Sequence, residues 1–153
     1  MMSVAIVLHL LSATIWVGGM FFAHMILRPA AVSELEPPLR LKLWRHVFNR
    51  FFPWVWVAIV VAPLTGILLL APLGGFSNAP LYVHIMTTIG SLMVVIFLYV
   101  YFAPFSGLKK YLDEQDIPAA AGQLNKIRAL VGTNILLGII TVLVATVGKY
   151  YLI

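Results

Sequence analysis

The chain has no cysteine and little charge of either sign. Without cysteine, disulfides, thiolate metal sites and thiol catalysis are excluded. Charged residues make up 10% of the chain, whereas about 25% is usual in a soluble domain. The five acidic residues all lie outside the apolar runs, which argues against a paired-carboxylate hydrolase. There is also no glycine-rich phosphate loop, nucleophile elbow or His-Glu-x-x-His zinc motif, so most soluble enzyme classes are excluded.

Apolar sequence dominates what remains, at 62% of the 153 residues. Four runs reach the roughly 20 residues that a membrane-spanning helix needs. We predict spans at residues 3–27, 51–71, 80–105 and 129–151. Pro53 and Pro63 should kink or restart the second span. The sequence therefore predicts one all-α domain over residues 1–153, an integral membrane four-helix bundle.

The connections between the predicted spans differ in charge. The first carries Arg28, Arg40, Lys42, Arg45 and Arg50, and the third carries Lys109, Lys110, Lys126 and Arg128. The second, "APLGGFSNAP", has no charge and is typical of a tight turn. The positive-inside rule places the basic connections in the cytoplasm and both termini in the periplasm. We therefore predict an up-down bundle in a bacterial-type inner membrane. The net charge of +5 is explained by this distribution, without a nucleic-acid partner.

The first connection contains an amphipathic stretch, "LRLKLWRHVFNRFF". Its apolar residues recur at helical spacing, namely Leu43, Trp44, Val47, Phe48 and Phe51. This pattern predicts an amphipathic helix between the first two spans. It lies in the cytoplasmic interface or extends the second span, and the sequence leaves both alternatives open.

The four histidines are the main candidates for chemistry. His9 and His84 lie about 9 Å and about 6 Å below the outer surface, at 1.5 Å per residue, whereas His24 and His46 lie at the inner side. Ionisable residues inside a membrane are usually functional, and neutral imidazole ligates haem iron. We predict haem b with His9 and His84 as axial ligands. His24 and His46 are candidates for a second site, so the protein could hold one haem or two. The simpler alternative for these histidines is hydrogen bonding between helices.

Four further residues are candidates for contact with the cofactor. Arg28 and Arg128 lie at the predicted inner boundary, where they could pair with porphyrin propionates or a quinone head, or anchor the helices in the headgroups. Trp16 could line a flat cofactor. Asn134 could bond across the bundle or touch a ligand. The predicted role is electron transfer with quinone or a redox partner protein, and whether the chain forms a homo-oligomer stays open.

Copper is an alternative to haem. Met20 and His24 are four residues apart, Met25 follows directly, and Met86 lies two residues after His84. Thioether and imidazole together suit Cu⁺. The chain nevertheless has no Met-x-x-Met run, so direct copper binding is the weaker hypothesis.

The stretch "LHLLSATIWVGGMFF" combines a Leu-His pair, Trp16 and Gly18-Gly19. On these residues the chain resembles the small integral membrane proteins related to copper-resistance protein D (CopD). That resemblance implies copper handling, as a transport or tolerance component.

The chain is also distantly similar to the HemJ-type protoporphyrinogen oxidases. The matching residues are His9, Trp16, Gly19, His84 in "LYVHIM", Arg128 and Asn134. This resemblance implies a membrane b-type haem protein with His9 as a ligand, and porphyrinogen oxidation as an alternative activity. The oxidase pattern has a lysine shortly after the third-helix histidine, where this chain reads "HIMTT". Whether the protein is a membrane oxidoreductase enzyme or an electron carrier is therefore open.

Overall fold

A computed structural model describes residues 2–151, and these contain helices and short connections but no strand. The helices are α1 Met2–Phe21, α2 Arg28–Glu34, α3 Pro37–Leu70, α4 Leu81–Phe102, α5 Pro104–Asp113 and α6 Ile117–Tyr151. A π-helical turn, Phe22–Leu27, joins α1 to α2, and the 3-10 turns Ala71–Leu73 and Phe76–Asn78 lie between α3 and α4. Four stretches are long and apolar enough to cross a membrane, and we call them the first to fourth spans: Met2–Glu34, Pro37–Leu73, Leu81–Asp113 and Ile117–Tyr151. The prediction of an all-helical chain with four long apolar helices is confirmed.

The helices are longer than the predicted spans where the chain is basic. Of the predicted first and third connections, only residues 35–36 and 114–116 lie between helices. Helix α3 also continues through Pro53 and Pro63, so the second span does not restart. The amphipathic stretch is thus the first part of α3 rather than a separate helix. The physical reason is burial, because its apolar residues pack into the bundle: Leu41, Trp44, Phe48 and Phe52 are each at most 5% exposed.

The first span packs closely against the second and the fourth. The Phe51 ring occupies the place where a Cβ on Gly19 would be, so a larger residue there would require this ring to move. A Cβ on Gly138 would lie 2.7 Å from a methyl of Val17. A Cβ on Gly66 would likewise meet the ring of His9, and one on Gly132 would meet the ring of His24. The numbers of the contacting residues therefore fall along the second and fourth spans as they rise along the first, so the first span runs antiparallel to both. Small residues at these points let the helix backbones approach, as expected in membranes.

The bundle has two halves that differ in packing. We call residues 16–58 and 93–135 the basic half, and residues 2–15, 59–92 and 136–151 the terminal half. The basic half buries large side chains, and Phe52 contacts Phe48, Phe97 and Phe105 with ring centroids 5.1, 5.5 and 4.8 Å apart. In the terminal half, the buried residues of the described chain are all small: Ala5, Ser12, Thr65, Gly138 and Gly148.

Candidate metal and anion sites

His9 lies on α1 in the terminal half, and the second span holds its ring. The Nδ1 atom of His9 is 2.8 Å from the carbonyl oxygen of Ala62 and 3.2 Å from Oγ1 of Thr65. Thr65 is 5% exposed, and its hydroxyl donates to the Val61 carbonyl oxygen over 2.7 Å. The half-buried imidazole is therefore fixed against α3.

The hydrogen bond to Ala62 determines which nitrogen of His9 carries the proton. A carbonyl oxygen only accepts hydrogen bonds, so Nδ1 must be the protonated nitrogen. The Nε2 atom then keeps its lone pair. Metal-ligating histidines usually have this arrangement, in which the other ring N–H donates to a backbone carbonyl or carboxylate. His9 is thus prepared to ligate through Nε2, although the same bond also joins the first two spans.

His84 lies near the start of α4, with its ring against Phe76 of the preceding connection. The two ring centroids are 4.4 Å apart, with the planes 76° from parallel. Within residues 2–151, the partners of the His84 ring do not include His9, whose own ring is bonded to α3. Joint ligation of one iron by the two imidazoles therefore stays a prediction.

A small, partly open hollow lies in the basic half, between the first, second and fourth spans. We call it the basic hollow, and the residues around it include His24, Arg28, Trp44 and Arg128. Trp44 is 3% exposed, and its Nε1 has no hydrogen-bond partner in the described chain. The Nε and Nη2 atoms of Arg128 are also buried there without a partner. The structure therefore brings three predicted site residues together with an indole that was not predicted.

A second small hollow adjoins it, and we call this the aromatic hollow. The two share Ala23, Phe48 and Val131. Two predicted residues, Trp16 and Asn134, line it. Asn134 is 3% exposed, and its Nδ2 donates to the Met93 carbonyl oxygen over 3.2 Å. The predicted bond across the bundle is thus present, while Oδ1 of Asn134 has no partner in the described residues.

His46 does not join His24 as the predicted second pair requires. It is exposed on α3 and does not line the basic hollow. The reason is helical geometry, since His46 follows Trp44 by two positions, which turns it about 200° around the helix. Because Trp44 faces the bundle, His46 faces away from it.

Arg28 and Arg128 cannot meet the propionates of a haem held by His9. At 1.5 Å per residue, Arg28 lies about 28 Å along the first span from His9. Arg128 lines the same hollow as Arg28. The predicted pairing of these arginines with propionates therefore applies only to a porphyrin bound in the basic half.

The copper candidates are not gathered in one place. Residues 2–151 contain no group of three or more His, Cys, Asp or Glu side chains that could hold a metal ion. Met20 is buried in the core, Met25 is exposed, and Met86 is half-buried on another span. A bare Cu⁺ ion held by the protein alone needs several soft ligands together.

Three residues at these sites were missed from the sequence. Trp44 was assigned to an apolar helix side, although a tryptophan near arginines also offers a hydrogen-bond donor. Ala62 and Thr65 carried no signal, because their position beside His9 depends on how α1 and α3 are aligned. That alignment is set by contacts such as Gly19 with Phe51.

Comparison with known proteins identifies the family. A family model described as copper resistance protein D (CopD) matches residues 45–147, which is more than half of the chain. No curated protein and no solved structure matches. The family match does not extend to the HemJ-type oxidases, so that resemblance is not supported. With its four long apolar helices, the chain is a multi-pass membrane protein and belongs to the copper resistance protein D family.

Proposed function

We propose that this CopD-family protein is a membrane b-type haem protein in which Nε2 of His9 ligates the iron. The observation that carries the proposal is the 2.8 Å bond from Nδ1 of His9 to the Ala62 carbonyl oxygen. It leaves Nε2 as the lone-pair nitrogen and orients the ring, as the outer partners of metal-bound histidines do.

Two features favour haem over a bare ion. A porphyrin brings four nitrogen ligands, so one or two imidazoles complete the coordination, whereas no larger ligand group occurs in residues 2–151. The terminal half also buries only small side chains, so its interior beside His9 is not filled by large ones. A flat apolar cofactor suits that part of the bundle.

His84 is the proposed second axial ligand. It starts the third span as His9 starts the first, and no residue from 81 to 92 is buried. Its side chain would turn away from Phe76 to reach the iron. Two histidine ligands fill both axial positions and favour electron transfer over oxygen binding.

The proposed role is electron transfer between a membrane or periplasmic donor and a quinone. The quinone head is proposed to bind at the aromatic hollow, whose lining is almost wholly apolar. Its walls include the rings of Trp16 and Phe97, and the unpartnered Oδ1 of Asn134 could accept a hydrogen bond from a reduced quinone.

The proposed orientation has the helices running up-down-up-down in the inner membrane, with the basic half toward the cytoplasm and both termini in the periplasm. The oppositely directed contacts of the first span with the second and fourth support this order. The basic connections support the side assignment.

The test is the optical spectrum of the protein purified in detergent. We expect the sharp reduced α and β bands of six-coordinate haem b. His9→Ala should abolish them, and His84→Ala should convert the spectrum to a five-coordinate form. His46→Ala is the matched control and should leave the bands unchanged. Absence of haem from protein expressed with ample haem supply, or equal spectra for His9→Ala and His46→Ala, would refute the proposal.

The second candidate is copper transport or tolerance, and the family match favours it. In that case Met20, His24 and Met86 would bind Cu⁺ in succession rather than as one cluster. The protein should then withdraw Cu⁺ from a coloured chelator, and the triple replacement of these residues by alanine should remove this activity. An unchanged titration would exclude these ligands.

A further inference from the structure

The basic hollow contains an uncompensated positive charge. Arg28 and Arg128 both line it, and Arg40 lies near enough to act electrostatically on Arg128. The charged neighbours of His24 are the same two arginines, Arg28 and Arg128. Like charges brought together beside apolar walls are unfavourable unless an anion lies between them.

No acidic side chain within residues 2–151 supplies that anion. None of the five acidic residues lines the hollow. Asp113 accepts a hydrogen bond from Arg45 over 2.6 Å, and Asp116 accepts one from the backbone N–H of Ala119 over 3.0 Å. The nearest acidic residues in the first connection, Glu34 and Glu36, are exposed.

Two residues beside the hollow carry buried hydrogen-bond donors that have no acceptor in residues 2–151. Trp44 is 97% buried and its Nε1 is unpartnered. Nη1 of Arg128 donates to Oδ1 of Asn125 over 3.2 Å, and this bond orients the guanidinium. The Nε and Nη2 atoms of Arg128 stay buried and have no partner in residues 2–151. Buried donors without acceptors are costly and rare, so each needs an explanation.

The first span is distorted at this point. His24 lies in the π-helical turn Phe22–Leu27, which ends two residues before Pro29. Pro29 has no N–H, and in a regular helix its ring would collide with the carbonyl four residues earlier, so the wider turn relieves the clash. Single π turns are frequent at functional sites. Opposite it, a Cβ on Gly132 would lie 3.4 Å from Cε1 of His24, so the ring sits directly against α6.

The geometry points to a binding site for a phosphate-bearing anion, held by Arg28, Arg128 and the indole N–H of Trp44. A guanidinium matches two phosphate oxygens at once, and a tryptophan N–H supplies a further donor. The remaining walls are apolar, including Phe48, Ile127 and Val131. Such walls suit the acyl chain of a phospholipid, and the headgroup of an anionic lipid is one source of the phosphate. Free phosphate is the other source.

This site is independent of the proposed haem, because about 22 Å of helix separate His24 from His9 at 1.5 Å per residue. A failure of either proposal therefore leaves the other intact. The haem spectrum reports on the terminal half, whereas anion binding reports on the basic half.

The test uses the full-length protein incubated with vesicles of phosphatidylcholine and phosphatidylglycerol. Lipid retained after extraction is measured by native mass spectrometry. We expect phosphatidylglycerol to be preferred, with retention about tenfold weaker in Arg128→Gln, because one charge-assisted hydrogen-bonding group is lost. The matched control is Arg50→Gln, an exposed arginine of α3 that does not line the hollow, and it should retain the lipid.

A second measurement separates the two sources of phosphate. Inorganic phosphate is added to protein in phosphatidylcholine alone, and the unfolding temperature is recorded. A rise that is lost in Arg128→Gln identifies free phosphate as a ligand. Lipid preference without that rise identifies the headgroup.

Trp44→Phe keeps an apolar ring but removes the N–H, so it decides the question if Arg128→Gln does not fold. It should weaken anion binding while the protein remains folded. Two results would overturn the proposal. One is an equal loss of lipid retention in Arg50→Gln and Arg128→Gln. The other is a wild-type protein that neither prefers phosphatidylglycerol over phosphatidylcholine nor gains stability from inorganic phosphate.

Discussion

The basic and terminal halves of the same bundle are built in different ways. Phe52 lies at the centre of an aromatic cluster that joins the second span to the third, through Phe48, Phe97 and Phe105. In the terminal half, the helices meet through small residues, and the most specific polar contact is that of His9 with α3. Large interlocking side chains fix the basic half, whereas small residues let the helices of the terminal half approach each other closely.

The two halves therefore differ in what stabilises them. The basic half holds the helices in register, and its two hollows lie within a firmly packed surrounding. The terminal half contributes less packing energy, so a bound cofactor there would contribute to stability by binding only the folded protein. Variants that weaken one half and spare the other can therefore test the division.

The largest effect is expected for Phe52→Ala in the basic half. Phe52 is 4% exposed, and removing its ring leaves a cavity among three other aromatic rings. The free energy of unfolding should fall by about 3–5 kcal/mol. Unfolding in mixed detergent micelles measures this change.

Leu68→Ala is its control in the terminal half of the same helix. Leu68 is 60% exposed, so its replacement should change the free energy of unfolding by about 0.5 kcal/mol or less. Similar losses in the two variants would contradict the division into halves.

A smaller effect is expected for Gly138→Ala, at the contact between the first and fourth spans. The added methyl would lie 2.7 Å from Val17, whose branched side chain cannot swing away freely. The two spans must then move apart, at a cost of about 1–3 kcal/mol. Gly90→Ala is the control, because no atom lies within 4 Å of a Cβ there, and it should be neutral or stabilising. The same unfolding measurement applies, and equal stability of the two variants would contradict the close contact.

The four spans were predictable because apolar runs of that length have few alternatives to a membrane helix. Their ends were not, because hydropathy falls wherever arginine and lysine occur. In α3 those charged residues lie on one side of the helix, while Leu41 and Trp44 stay in the core on the other. Whether the helix continues is thus decided by burial in the assembled bundle. The hydropathy of a short stretch of sequence carries no information on that burial.

The candidate sites were predictable in part for the same reason. His9, His24, Arg28 and Arg128 were found from the sequence because polar groups stand out among apolar residues. Their partners were not, since the bond from His9 to Ala62 and the meeting of Trp44 with Arg128 depend on contacts between helices. The family model covers residues 45–147, so it includes His84 and Asn134 but neither His9 nor His24. The resemblance based on the first span is therefore independent of the family match.

The smallest effect is expected where the basic half meets water. Arg45 and Asp113 form an ion pair of 2.6 Å between α3 and α5, but their side chains are 33% and 64% exposed. Solvent screens such pairs, so Arg45→Gln should lower the free energy of unfolding by about 0.2–1 kcal/mol. The loss should shrink further as salt is raised, because the screening length falls to about 3 Å at 1 M. A loss as large as that of Phe52→Ala would mean that the charged surface, and not the aromatic cluster, holds the second and third spans together.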